Sequence, residues 1–211
     1  MRKNLMIVCL LMIGTTTFAQ LKLGVQFAPT ISANRVEYEG TDFDLDSDGT
    51  GLRMVFGPIV DYQLTDNYYL SSGLLFTSKR GAFEINYPDG TKGTEEYKLH
   101  YIQLPATMKL FTNEVALDKK IFFQFGGSFD FNIQEEPENT DNTLVKDFFF
   151  MDVSLIAGLG LEYQLGTSTI AFAGISYHRG LINQVDEVGE FPADDITLKN
   201  DYIGFNFGVK F

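Results

Sequence analysis

The sequence predicts an all-β chain folded as an eight-stranded antiparallel up-and-down transmembrane β-barrel. Three observations carry that prediction. Apolar residues recur at every second position through most of the chain, as strands with one greasy face require. The opposite parity holds Gly, Ser, Asn and single charges rather than the Lys, Glu and Thr of water-facing strands, which suits a narrow polar lumen. The connections alternate between short and long, as they do when turns fall alternately on the two sides of a membrane. A soluble sandwich or lipocalin-like barrel is the alternative, with the apolar parity turned inward.

The first nineteen residues read as a leader. Arg2 and Lys3 form a basic start, Leu5 to Ile13 is apolar but too short to span a bilayer, and Thr17-Phe18-Ala19 ends on a small residue suited to cleavage. The expected division is a signal peptide over 1–19 and one barrel domain over 20–211. Cys9 is the one cysteine and leaves with the leader, which excludes disulfides, thiolate catalysis and cysteine metal sites from the mature chain. Its removal takes the formal charge from −12 to −14. So acidic a chain is not expected to bind nucleic acid, which needs a basic face.

Eight strand segments can be laid out, at roughly 20–31, 51–64, 68–82, 97–111, 121–134, 148–165, 169–183 and 200–211. In the fifth, Ile121, Phe123, Phe125, Phe129, Phe131 and Ile133 share one parity, while Gln124, Ser128, Asp130 and Asn132 share the other. Residues 65–67, 112–120 and 166–168 make short turns; 32–50, 83–96, 135–147 and 184–199 make long connections. Eight strands leave a lumen just wide enough to be filled by side chains. Aromatics gather toward both ends, with Tyr62, Tyr68, Tyr69, Phe111, Tyr163 and Phe211 by the short turns. Tyr87, Tyr97, Tyr101, Phe148, Tyr177 and Tyr202 lie by the long connections, as two girdles at headgroup level would.

Three stretches resemble the PorT-like outer-membrane β-barrel family of Bacteroidota: Tyr69-Leu70-Ser71-Ser72-Gly73-Leu74-Leu75-Phe76-Thr77-Ser78-Lys79-Arg80-Gly81, Leu99-His100-Tyr101-Ile102-Gln103-Leu104-Pro105, and Tyr177-His178-Arg179-Gly180-Leu181-Ile182-Asn183. The resemblance runs through essentially the whole mature chain and departs at Gln103-Leu104, where many members carry Glu-Ile. It implies an integral protein of a Gram-negative outer membrane, with short periplasmic turns and long extracellular loops, whose C-terminal Phe211 is read by the barrel-assembly machinery. Some relatives are accessory subunits of a type IX secretion or gliding complex. The motifs are specific for the barrel and weak for any activity.

The long connections hold 20 of the 28 acids and only Arg35, Lys92, Lys146 and Lys199 as bases, so nearly all the net acid is displayed at one end. Outer-membrane lipid, lipopolysaccharide and an outer-membrane complex are the expected partners. Asp44, Asp46 and Asp48, followed by Gly49, have the alternate oxygen ligands of half a calcium loop, although Val55 stands where a bidentate acid would close it. Lys22, Gln26, Arg53, Asp61, Gln124, Asp130, Asp152, Glu162, Arg179 and Lys210 are expected inside, where buried charges must pair and would close the lumen. His100 and His178 are expected as isolated rim residues with no catalytic partner. The expectation is a non-enzymatic surface barrel, with a secretion accessory subunit or a lipid-modifying enzyme as alternatives.

Overall fold

The computed structural model describes residues 20–38, 44–138, 144–188 and 196–211. The leader with Cys9, and Asp42 beside the candidate calcium ligands, lie outside them. Twelve strands run in chain order: β1 (Leu21–Tyr38), β2 (Asp44–Ser47), β3 (Thr50–Gln63), β4 (Tyr68–Gly73), β5 (Leu75–Asn86), β6 (Lys92–Phe111), β7 (Lys119–Pro137), β8 (Val145–Phe148), β9 (Met151–Gln164), β10 (Ile170–Gly180), β11 (Val185–Val188) and β12 (Ile196–Lys210).

All pairings are antiparallel, and the main sheet closes on itself because β1 pairs with both β3 and β12. The ring has eight positions: β1, β3, β4 continued by β5, β6, β7, β9, β10 and β12. The fourth and fifth strands form one stave broken at Leu74, whose amide bonds the Pro58 carbonyl. Gly57 makes that break possible: at φ 153° it faces the Leu74 carbonyl so closely that a Cβ would collide with it. Along the ring the greasy parity faces out, with Phe123, Phe125, Leu155, Leu159, Phe205 and Phe207 exposed, and the small or polar parity faces in.

The long connections are shorter than the sequence suggests. The third position of the ring runs to Asn86 and β6 starts at Lys92, so most of 83–96 is hairpin rather than loop. The first strand likewise continues to Tyr38, the seventh to Pro137, and the last starts at Ile196. The reason is a second hydrophobic core beyond the lumen. Leu45, Phe83, Ile85, Tyr97, Leu99, Tyr101, Leu144, Val145, Phe148, Ile196 and Leu198 pack together at the long-connection end, and their strands extend to reach it. The short pair β8 and β11 lies over this core.

The wall parts on the way to that core. β3 meets β5 only at Val55↔Thr77 and Phe56↔Phe76; farther out, β2 takes its place beside β5. Arg80 bridges the parting, bonding the Asp48 backbone carbonyl, the Asp48 carboxylate at 3.1 Å and Glu96 at 2.7 Å, while Arg53 holds the other Glu96 oxygen at 2.6 Å. The strand edge freed from β3 is satisfied from across the mouth. Asn200 donates to the Arg80 carbonyl at 2.8 Å and Asn34 to that of Ala82 at 3.2 Å. The β5–β6 hairpin thus leans over the lumen onto β1 and β12.

Candidate functional site

The lumen is built in three storeys from inward-facing side chains. Nearest the short turns, Asp61 accepts both Lys109 (3.0 and 3.2 Å) and Lys210 (2.6 Å), and Lys210 also bonds Glu162. Phe111, Phe122 and Phe172 wall in these two ammonium groups, with ring centroids 5.3 to 5.8 Å from the nitrogens. Lys22 reaches the Tyr69 hydroxyl at 3.5 Å at the mouth.

The middle storey is neutral. Gln26 donates to Asn206 at 3.2 Å, Asn206 to Ser176 at 2.9 Å, and Gln124 to Thr107 at 2.8 Å. A cavity of about 30 Å³ between these groups, bounded also by Gln103 and His178, has room for a water or two.

In the third storey, just below the apolar core, Lys79 donates to Asp130 at 2.6 Å and to Asp152 at 2.7 Å while lying 4.7 Å from the Tyr101 ring centroid. Gln103 adds a bond to Asp130 at 3.1 Å, and Gln184, arriving from the segment after β10, adds one to Asp152 at 2.8 Å. All five partners of this cluster are at most 1% exposed, so each charge survives burial only through its neighbours.

Of the ten residues expected inside, Lys22, Gln26, Asp61, Gln124, Asp130, Asp152, Glu162 and Lys210 line the lumen. Arg53 turns to the parting and Glu96 instead. Arg179 is a correction: it is exposed on the outer wall, because Ser176 and His178 of the same strand face in. The inward positions Ile170 and Phe172 are apolar, so polarity did not mark the faces of β10. Lys79, Gln103, Lys109, His178 and Asn200 were missed, although the first three share parity with Thr77 and Thr107 on their strands.

His178 is not a rim residue. It is buried, stacked on Tyr202 at 4.1 Å, and its Nε2 lies 3.1 Å from the Ser176 hydroxyl. Among the described residues its Nδ1 has no hydrogen-bond partner. His100 faces outward against Phe76. The girdles are also thinner than expected, since Tyr69, Phe111, Tyr97, Tyr101, Phe148 and Tyr202 are buried; Tyr68, Tyr163, Phe211, Tyr87 and Tyr177 remain exposed.

Asp44 and Asp46 are exposed on β2, not in a loop, and Asp46 accepts from Asn86 at 3.3 Å. Asp48 is engaged by Arg80. Among the described residues no group of three or more His, Cys, Asp or Glu is arranged to hold a metal ion.

The outer membrane protein beta-barrel domain model matches residues 18–186. No curated protein sequence matches the chain. Among solved structures, OprG of Pseudomonas aeruginosa superposes at a TM-score of 0.52 with 12% identity, over 90% of this chain and 95% of that one. Neisserial surface protein A, also 12% identical, superposes at 0.48 over 90% and 97%. A closed antiparallel ring with apolar residues outward, and a family match covering most of the chain, lead to one assignment: the protein belongs to the outer membrane protein beta-barrel domain family and is a protein of the outer membrane.

Proposed function

We propose that this is a non-enzymatic surface barrel with a plugged lumen, its short turns in the periplasm and its acidic end outside the cell, where it acts as a structural or partner-binding protein. The observation that carries the reading is the filled lumen: among the described residues, two buried ionic clusters and an apolar cap fill the interior around a water-sized cavity. The Ser176–His178 pair supports the non-enzymatic reading, being enclosed in the lumen and having, among the described residues, no acid on the imidazole Nδ1. Residues 1–19 act as the export signal in this reading, and the alternating Ile203, Phe205, Phe207 and Val209 leading to Phe211 form the assembly signal.

Placement within the PorT-like family of Bacteroidota rests on the three quoted stretches, which converge in space. Lys79 from the first lies over Tyr101 of the second, Gln103 of the second shares Asp130 with Lys79, and Gln103 also bonds Tyr202, on which His178 of the third is stacked. A sequence signature that builds the plug explains why it is strong for the barrel and silent on partners. A role as accessory subunit of a secretion or gliding complex would be exercised through the acidic end.

Protease shaving of intact cells tests the orientation. Cleavage within 135–147 or 184–199, with 112–120 protected until the outer membrane is opened, is expected; the reverse pattern would overturn the reading.

A further inference from the structure

On the outer wall, next to the apolar band, the acidic end carries a small basic face. Arg179 of β10, Arg35 of β1 and Lys199 of β12 all point outward on adjacent strands, with Arg35 opposite Lys199 and Arg179 opposite Asp201 in the ladders. Toward the membrane the next outward row is Ala33, Asp201 and Arg179, and the row below it is Ile31, Ile203 and Tyr177, each at least 40% exposed. Glu37 lies one step farther out on β1.

Asp201 is the acid among them, and its carboxylate is fully used. It takes Arg35 Nε at 2.9 Å and NH2 at 3.0 Å, the Tyr177 hydroxyl at 3.0 Å and the Gly180 amide at 3.1 Å. Arg35 is thereby fixed on the wall, its guanidinium also donating to the Gly180 carbonyl at 2.6 Å. Arg179 and Lys199 have no ion pair among the described residues. Two unpaired cations and one fixed guanidinium therefore stand at the level where apolar surface gives way to charge. That is the level at which a lipid's phosphate sits above its acyl chains.

We propose that Arg35, Arg179 and Lys199 form a binding site for the phosphate headgroup of an outer-leaflet glycolipid. This deepens the proposed surface reading and rests on its orientation. Arg179 offers a planar fork to the phosphate oxygens and Lys199 a point charge, Arg35 adds the charge and the Nη1 donors that Asp201 leaves free, and Ile31, Ile203 and Ile175 take the acyl chains. The site would also tie the acidic end to the anionic lipid surface that its net charge otherwise repels.

Native mass spectrometry of the folded chain in detergent, titrated with diphosphorylated lipid A, tests it. Dephosphorylated lipid A and inorganic phosphate serve as comparison arms. The double variant Arg179→Gln, Lys199→Gln should bind the diphosphorylated lipid about thirtyfold more weakly, from about fivefold per lost charge near a lipid surface. Lys146→Gln, in the exposed ion pair with Glu187 between β8 and β11, should bind as the wild type does. Equal binding by the double variant, equal binding of the dephosphorylated lipid, or full competition by millimolar inorganic phosphate would overturn the site. Heat-dependent gel mobility of the same samples reports the barrel separately. A wild type without a shift would overturn the barrel reading, whereas a shifted barrel that ignores the lipid phosphate overturns this proposal alone.

Discussion

The two halves of the interior are built on opposite rules within the same strands. In the half beside the short turns, β6 sends Lys109, Thr107 and Gln103 inward and Leu110, Met108 and Leu104 outward; beyond Tyr101 it sends Leu99 and Tyr97 inward and Lys98 and Glu96 outward. The neighbouring β5 turns over likewise, from inward Thr77 and Lys79 to inward Phe83 and Ile85. So does β12, from outward Phe205 and Ile203 to outward Asp201 and Lys199. Where the outer face meets lipid, the inside mixes paired polar groups with the buried rings and aliphatics around Phe111, Phe122 and Phe172; where it meets water, the inside reverts to an ordinary apolar core. The inversion, not strand length, marks the edge of the membrane.

The sharpest way to break this comparison is to remove the cation from the membrane half. Lys79→Met should leave Asp130 and Asp152 buried together without a cation, with only Gln103 and Gln184 to serve them, and cost about 3–5 kcal/mol, read as a lower urea midpoint in a folded-barrel assay. A midpoint within error of wild type would mean water or ions reach the cluster. Next in size, Leu159→Arg should cost about 2–4 kcal/mol of insertion free energy in vesicles, because the side chain faces lipid. Ser154→Thr on the inner parity of the same strand should be far milder. Equal penalties would contradict the outward assignment.

Leu99→Ala tests the other half. It opens a void in the outer core and should cost about 2 kcal/mol or more, but locally. Faster hydrogen exchange in the β5–β6 hairpin tip with an unchanged heat-stable barrel is expected; global loss of the barrel would show the halves to be one cooperative unit.

How far all this was legible in the sequence follows from the inversion. Period two gave the ring, the greasy outer wall and most lumen residues, because lipid imposes one rule on every strand inside the band. It failed where the rule changes. Segment 83–96 reads as loop because its acids interrupt the pattern: Glu84 and Glu96 stand on the parity that is greasy lower down, while Phe83, Ile85 and Tyr97 stand on the parity that is polar there. Arg179 was read as inward because β10 carries aromatics on its inner face. The pairing of Lys79 with Asp130 and Asp152 was illegible, since those residues come from three strands and nothing local joins them.

pH should act on the outer half in two opposite senses. The hydrogen bond from Arg80 holds the Glu96 carboxyl below its usual range, so its support of the wall parting is present above the unfolded value of about 4.3 and is lost as pH falls through the lower folded value. Burial, with the Asp147 carboxylate beside it, raises Glu135, so the contact with the segment at Asp147 weakens as pH rises through that higher value. Proteolysis across pH 3 to 8 should expose 48–53 at the acid end and 144–148 toward the neutral end; a single monotonic trend would refute the assignment. Smallest of all is the effect of calcium. With Asp48 held by Arg80, millimolar calcium or chelator should leave cleavage between Ser32 and Thr50 unchanged, and protection by calcium would mean Asp44 and Asp46 recruit a ligand that displaces Arg80.

Ion conductance through the reconstituted protein bears most directly on the account as a whole. If the clusters around Asp61 and Lys79 and the apolar cap close the lumen, the wild type should give no steady conductance steps in a planar bilayer. Steady ohmic steps from the folded wild-type barrel would contradict the closed lumen and the function proposed from it.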